Sequence, residues 1–125
     1  AETSVRSGNT VVHYSAVPTT RLTPEIARQY GITRSANRAL VNIAVREGEP
    51  GKDSAVPATV VIAATNLVGQ RSDLRVLEVR EGDAIYYLAE ARIAGEDTLA
   101  FEVEVTREGA TAPIRVQFRQ EFFPQ

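Results

Sequence analysis

The chain contains no cysteine among its 125 residues and a single histidine, His13. Without cysteine there is no disulfide framework, no thiol catalysis and no thiolate metal site, and either redox compartment is compatible. One imidazole is too few ligands for a zinc centre, so no metal and no cofactor is expected. Long apolar runs are missing as well. Charged residues interrupt every candidate before the roughly 18 residues that a membrane span requires, so no membrane insertion is expected. The eight glycines are scattered as single turn residues, which excludes a Gly-rich phosphate loop. Net charge is -2 and the basic residues run evenly from Arg6 to Arg119, so no concentrated basic patch of the kind that nucleic acid or anionic lipids select is expected.

What is present fits one packed core. The composition is 43% hydrophobic and 24% charged, ordinary for a globular chain of this length, and residues 1–125 read as a single domain without repeats or low-complexity segments. All 14 basic residues are arginine except Lys52, and genome composition is the simplest cause. The sequence opens Ala1-Glu2-Thr3 without methionine, as it does after a signal peptide is removed at a small-residue site, so a periplasmic or secreted location is expected.

The second half reads as an antiparallel meander. In "VLEVREGDAIYYLAEARI" a Gly82-Asp83 turn joins two alternating runs, pairing Glu81 with Ala84, Val79 with Tyr86, Leu77 with Leu88 and Arg75 with Glu90. A further turn at Gly95-Glu96 is expected to bring Tyr86 to Val105 and Leu88 to Val103. The loop Glu108 to Thr111 sets Val105 against Ile114, Val103 against Val116, Phe101 against Phe118 and Glu104 against Arg115. With "NTVVHYSAV", "RALVNIAVRE" and "ATVVIAATNL" upstream, the pattern predicts an all-β, immunoglobulin-like antiparallel β-sandwich of about seven strands. One short helix is predicted over Thr23 to Tyr30. Thr23 caps it, Pro24 opens it, Glu25 faces its positive end and Gly31 stops it, and Ile26 and Tyr30 are expected to hold it against the sandwich.

Two sets of residues stand out as candidate sites. Arg34, Ser35, Asn37 and Arg38 lie between helix and strand and offer guanidinium, hydroxyl and amide groups to a carboxylate or phosphate; turn chemistry asks for the same residues without any ligand. Leu74, Val76, Ala89, Ala91 and Ala100 fall on the face opposite Val79, Leu88 and Val103, and are expected to be covered by the helix or to form a partner surface, a homodimer contact included. An enzyme reading is a small hydrolase or lyase centred on His13 with Tyr14, Arg34 and Arg38, though no catalytic frame accompanies His13. Glu90, Glu102 and Glu104 fall on solvent-facing or arginine-paired positions, where they solvate a sheet.

The segments "HYSAVPTTRLTPEIARQYGITRSANRALVNIAV", "TNLVGQRSDL", "EVREGDAIYYLAEARI" and "FRQEFF" resemble a family of small bacterial proteins, mainly Gram-negative, classed as a domain of unknown function. The similarity runs from about His13 to Phe123 and is most specific at Tyr30-Gly31-Ile32 and from Arg34-Ser35 to Asn42. "AVPTTR" departs from the family pattern, where an aromatic residue and asparagine are expected, which puts any role of that loop in doubt. The resemblance implies an exported β-sandwich and brings no activity, cofactor or catalytic residue. The leading expectation is therefore a non-catalytic periplasmic or secreted module that binds or assembles with a protein or peptide partner, with a passive structural envelope component as the further alternative.

Overall fold

The computed structural model describes residues 3–49, 51–93 and 97–122. Its strands are β1 (Thr3–Ser7), β2 (Thr10–Pro18), β3 (Arg38–Glu47), β4 (Ser54–Ala55), β5 (Ala58–Thr65), β6 (Arg71–Leu74), β7 (Val76–Glu81), β8 (Ala84–Arg92), β9 (Asp97–Arg107) and β10 (Ile114–Phe122). A 3-10 turn at Thr19–Arg21 and one helix, α1 (Pro24–Tyr30), separate β2 from β3. One sheet has the order β1-β2-β3-β8-β7, with β4 pairing the end of β3; the other has the order β10-β9-β5-β6. All pairings are antiparallel, and the two sheets stack as an all-β, immunoglobulin-like sandwich.

The strand count exceeds the seven expected for local reasons. β1 is too polar to announce itself and exists because Gly8, at φ 61, turns the chain so that Ser7 meets Thr10. β6 and β7 form one extended stretch that changes sheets at Arg75.

Alternation fills the space between the sheets. Val12, Val41, Ile43 and Val45 face Ile62, Phe101, Val103, Val105 and Val116, all at most 2% exposed. Phe118 stacks between Tyr14 and Phe101, at centroid distances of 4.5 and 5.0 Å. The predicted β7–β8 register is observed over Val76 to Glu81, as is the whole β9–β10 register.

Two expectations fail. β8 does not pair with β9: its second neighbour is β3, through Val41↔Ala89 and Asn42↔Leu88, while β9 lies in the other sheet beside β5. The Gly95-Glu96 turn lies outside the described residues. As a result the inner face of β8 is Tyr87, Ala89 and Ala91, not Tyr86 and Leu88. The supposed partner surface is therefore not one surface. Ala89 and Ala91, at 2% and 3% exposure, sit in the core with Leu74 and Val76 packed against it, whereas Ala100 belongs to the outer face of the other sheet. Alternation alone could not choose the face of β8, because "IYYLAEA" is apolar at both parities.

The helix forms for the reasons expected. The Thr23 side chain accepts the Ile26 N–H at 3.2 Å, Pro24 occupies the first turn, and Gly31 closes the helix at φ 69 and ψ 29. Its anchoring residue is a different one. Ala27 is buried and Ile26 is 41% exposed, so the helix turns its Ala27 side inward, and its end at Tyr30 lines a cavity with Leu40, Leu77 and Leu88 of the six-stranded sheet.

Candidate functional site

The outer face of the six-stranded sheet is built by the second parity of its strands. β3 contributes Arg38, Leu40, Asn42, Ala44 and Arg46; β8 contributes Tyr86, Leu88, Glu90 and Arg92; β7 contributes Leu77. Over this face the chain from Tyr30 to Ile32 leaves the helix, and the Tyr30 hydroxyl donates to the Glu81 carboxylate at the end of β7. That carboxylate is the main reason the Tyr30 pKa is raised.

The arch encloses a cavity of about 310 Å³ with Leu40, Leu77 and Leu88 on its floor and Arg75 and Glu90 beside them. A second, more open concavity of about 630 Å³ lies on the same face, lined by His13, Ser15, Asn42, Arg46, Asp53 and Tyr86. The two meet across the Asn42–Leu88 cross-strand pair. Arg46 donates to the Asp53 carboxylate at 3.2 Å and to its carbonyl at 3.0 Å, fixing the far wall. At the junction, two acceptor oxygens are buried without a hydrogen-bond donor among the described residues: Asn42 Oδ1 and Glu90 Oε1. They are diagonal neighbours on adjacent strands, since Leu40 opposes Glu90 and Asn42 opposes Leu88. Buried acceptors are ordinarily satisfied, and the other oxygen of the Glu90 carboxylate, Oε2, lies 3.6 Å from Arg38.

The Arg34 to Arg38 segment is first of all a structural corner. Thr19, fully buried, donates to the Ser35 carbonyl and accepts the Ser35 N–H, each at 2.8 Å, tying the segment to the end of β2. Arg34 donates to the Thr20 carbonyl at 3.1 Å, and Ser35 Oγ accepts the Asn37 N–H at 3.1 Å. Ser35, Asn37 and Arg38 nonetheless share a concavity of about 620 Å³ with Asn66, Gln70, Arg92 and Ile93. Arg34 is not among its walls. The residues that complete it lie some 30 to 55 positions away in sequence, beyond the reach of any local pattern.

The set proposed for hydrolysis is not brought together. His13 faces outward between Ser4 and Ala44, whereas the Tyr14 ring is turned into the core against Phe118. Arg38 is six residues along β3 from the partner of His13, roughly 20 Å at strand spacing. Among the described residues no group of three or more His, Cys, Asp or Glu side chains is placed to hold a metal ion. No helix among them is long and apolar enough to cross a membrane.

Asn42 is the site residue that a local reading passes over, and it carried a signal: it is the one amide inside the apolar run "ALVNIAV".

The fold and this face can be set beside known proteins. No match is found among curated proteins. Uropathogenic Escherichia coli FetP, expressed recombinantly in the periplasm of Escherichia coli, matches with a TM-score of 0.69 and 11% identity over 100% of this chain and 95% of its own. A copper-bound variant of FetP gives a TM-score of 0.68 and 12% identity over 98% and 95%. At such identities the likeness is one of fold. A crystal structure of a protein from Pseudomonas aeruginosa is nearer, at 32% identity and a TM-score of 0.82 over 99% of this chain and 96% of its own. That protein is a member of the family described as Domain of unknown function (DUF4426), whose model matches residues 4–125 here, and this chain belongs to the same family.

Proposed function

We propose that the protein is an exported, non-catalytic binding module that takes an extended peptide segment of a partner on the outer face of its six-stranded sheet. The observation that carries this reading is the pair of buried acceptors, Asn42 Oδ1 and Glu90 Oε1, where a cavity floored by Leu40, Leu77 and Leu88 meets the more open concavity beside it. Spaced backbone N–H groups together with apolar side chains are what an extended peptide offers to such a floor. β7 adds a second element. It ends its sheet, so one edge is unpaired, and Leu77 on it is 49% exposed beside the groove.

Periplasmic or secreted location is part of the proposal. Its support is the exported character that the family resemblance implies and the periplasmic expression of FetP. Copper does not come over from the FetP variant. The sequence has no cysteine and no methionine and only one histidine, so the soft and imidazole donors that hold copper are missing.

Panning a displayed peptide library against the protein tests the reading, followed by affinity measurements with soluble copies of the enriched peptides. Leu77→Glu places a charge on an exposed floor position and is expected to weaken binding about tenfold or more with an unchanged urea transition. Enrichment of nothing above a control library, or equal affinity for the variant, contradicts it.

A further inference from the structure

The hairpin between β5 and β6 carries the two most exposed large apolar side chains of the described residues, Leu67 at 74% and Val68 at 80%. They are held out rather than left loose. Asn66 Oδ1 accepts the N–H groups of Val68 and Gln70 at 3.1 and 2.9 Å, and Asn66 Nδ2 donates to Gln70 Oε1 at 2.9 Å. The Asn66 N–H donates to the Gln70 carbonyl and the Gly69 N–H to the Asn66 carbonyl, each at 3.1 Å, with Gly69 at φ 84. A tip fixed in this way loses little conformational entropy when it docks. Nothing in the sandwich requires two adjacent aliphatic residues there, since neither joins the core.

The concavity beside this tip holds two guanidinium groups, Arg38 and Arg92. Arg38 and Arg92 are direct cross-strand partners, an arrangement of like charges that disfavours the sheet. Among the described residues a single carboxylate offsets the pair: Glu90 Oε2 lies 3.6 Å from Arg38. Arg34 donates to the neutral Thr20 carbonyl and has no carboxylate partner among the described residues. Arg38 and Arg92 line the concavity that Asn66 and Gln70 complete, so the cationic basin adjoins the apolar tip.

We propose that this end of the molecule docks on a surface of anionic phospholipid, with Leu67 and Val68 resting in the headgroup boundary and Arg38 and Arg92 on lipid phosphates. Projecting aliphatic residues beside two guanidinium groups that a single carboxylate only partly offsets match the two layers of such a surface, apolar within and anionic without. No segment crosses the bilayer in this arrangement. The peptide groove lies farther along the same outer face, and the two regions share Glu90, which lines the groove and pairs with Arg38.

Cosedimentation of the full chain with phosphatidylcholine vesicles, with and without about one third phosphatidylglycerol, tests it directly. Binding is expected to anionic vesicles only and to weaken as salt is raised. Leu67→Ser combined with Val68→Ser is expected to reduce partitioning about tenfold with an unchanged unfolding midpoint, and Arg92→Gln several-fold with a midpoint no lower than that of the wild type. Absence of binding to anionic vesicles at low salt overturns the proposal, as it does if the tip instead fills a pocket on another protein. Equal binding by wild type and the double variant, abolished by inorganic phosphate, also overturns it, because the basin then serves a free anion without the tip.

Discussion

The hydroxyl of Tyr87, on the inner face of the six-stranded sheet, accepts the backbone N–H of Ala58 at 2.9 Å and donates to the Glu78 carboxylate at 2.9 Å. Ala58 opens β5 in the opposite sheet, so one side chain links the two layers of the sandwich. Tyr87→Phe keeps the ring in the core and leaves the Ala58 N–H without its partner, a loss of about 1–2 kcal/mol. Urea unfolding of the two proteins measures it. Identical transition midpoints contradict the link.

The same contact sets a pH dependence. Burial raises the Tyr87 pKa above its ordinary 10.0 and Glu78 adds to the rise, while the Ala58 N–H opposes it; Tyr30 is raised chiefly by its bond to Glu81. A folded-state pKa above the unfolded one means that the native state holds its proton more tightly. The contribution is complete below the unfolded tyrosine value and is lost as pH rises through the raised native values. Stability should therefore decline above about pH 10, less steeply in a Tyr30→Phe, Tyr87→Phe double variant. Denaturant midpoints across that range, followed together with phenolate absorbance, check the slope.

Ala91 and Ala100 separate the inner face of β8 from the outer face of β9. Ala91→Glu puts a carboxylate between the sheets and is expected to cost about 3 kcal/mol or more, whereas Ala100→Glu should fold. Circular dichroism of both variants decides it. An Ala91→Glu protein that melts at the wild-type temperature contradicts the strand faces described above.

Gly31 ends α1 in the left-handed region, and a methyl group there would meet no atom within 4 Å. Gly31→Ala should thus cost only the backbone strain, about 1 kcal/mol, with no steric component. A loss several times larger in a urea titration indicates a close approach that the geometry does not contain.

Much of this architecture is legible in the residues themselves. Gly82-Asp83, with the apolar and charged partners on either side, specifies the β7–β8 register, and Thr23, Pro24 and Gly31 specify both ends of α1. What stays hidden is non-local. The run from Tyr86 to Ala91 is apolar at both parities, so which face of β8 meets the core is decided by its neighbour β3, more than forty residues earlier. Glu90 shows the same limit at the groove. Alternation sets it on the face of Tyr86 and Leu88, which is expected to be inner and proves to be outer, and the burial of its Oε1 comes with the chain arching over that face between Tyr30 and Ile32. Ser35, Asn37 and Arg38 stand together in sequence, but only folding brings Arg92 opposite Arg38.

The central claim is that the outer face of the six-stranded sheet is where a peptide binds. Amide chemical-shift mapping with a peptide enriched against the protein tests it most directly. The account predicts the largest changes at Ile32, Leu40, Leu77, Leu88 and Glu90 and at the Asn42 side-chain amide. Changes gathered instead on the outer face of the four-stranded sheet, around Val61 and Glu104, would contradict it.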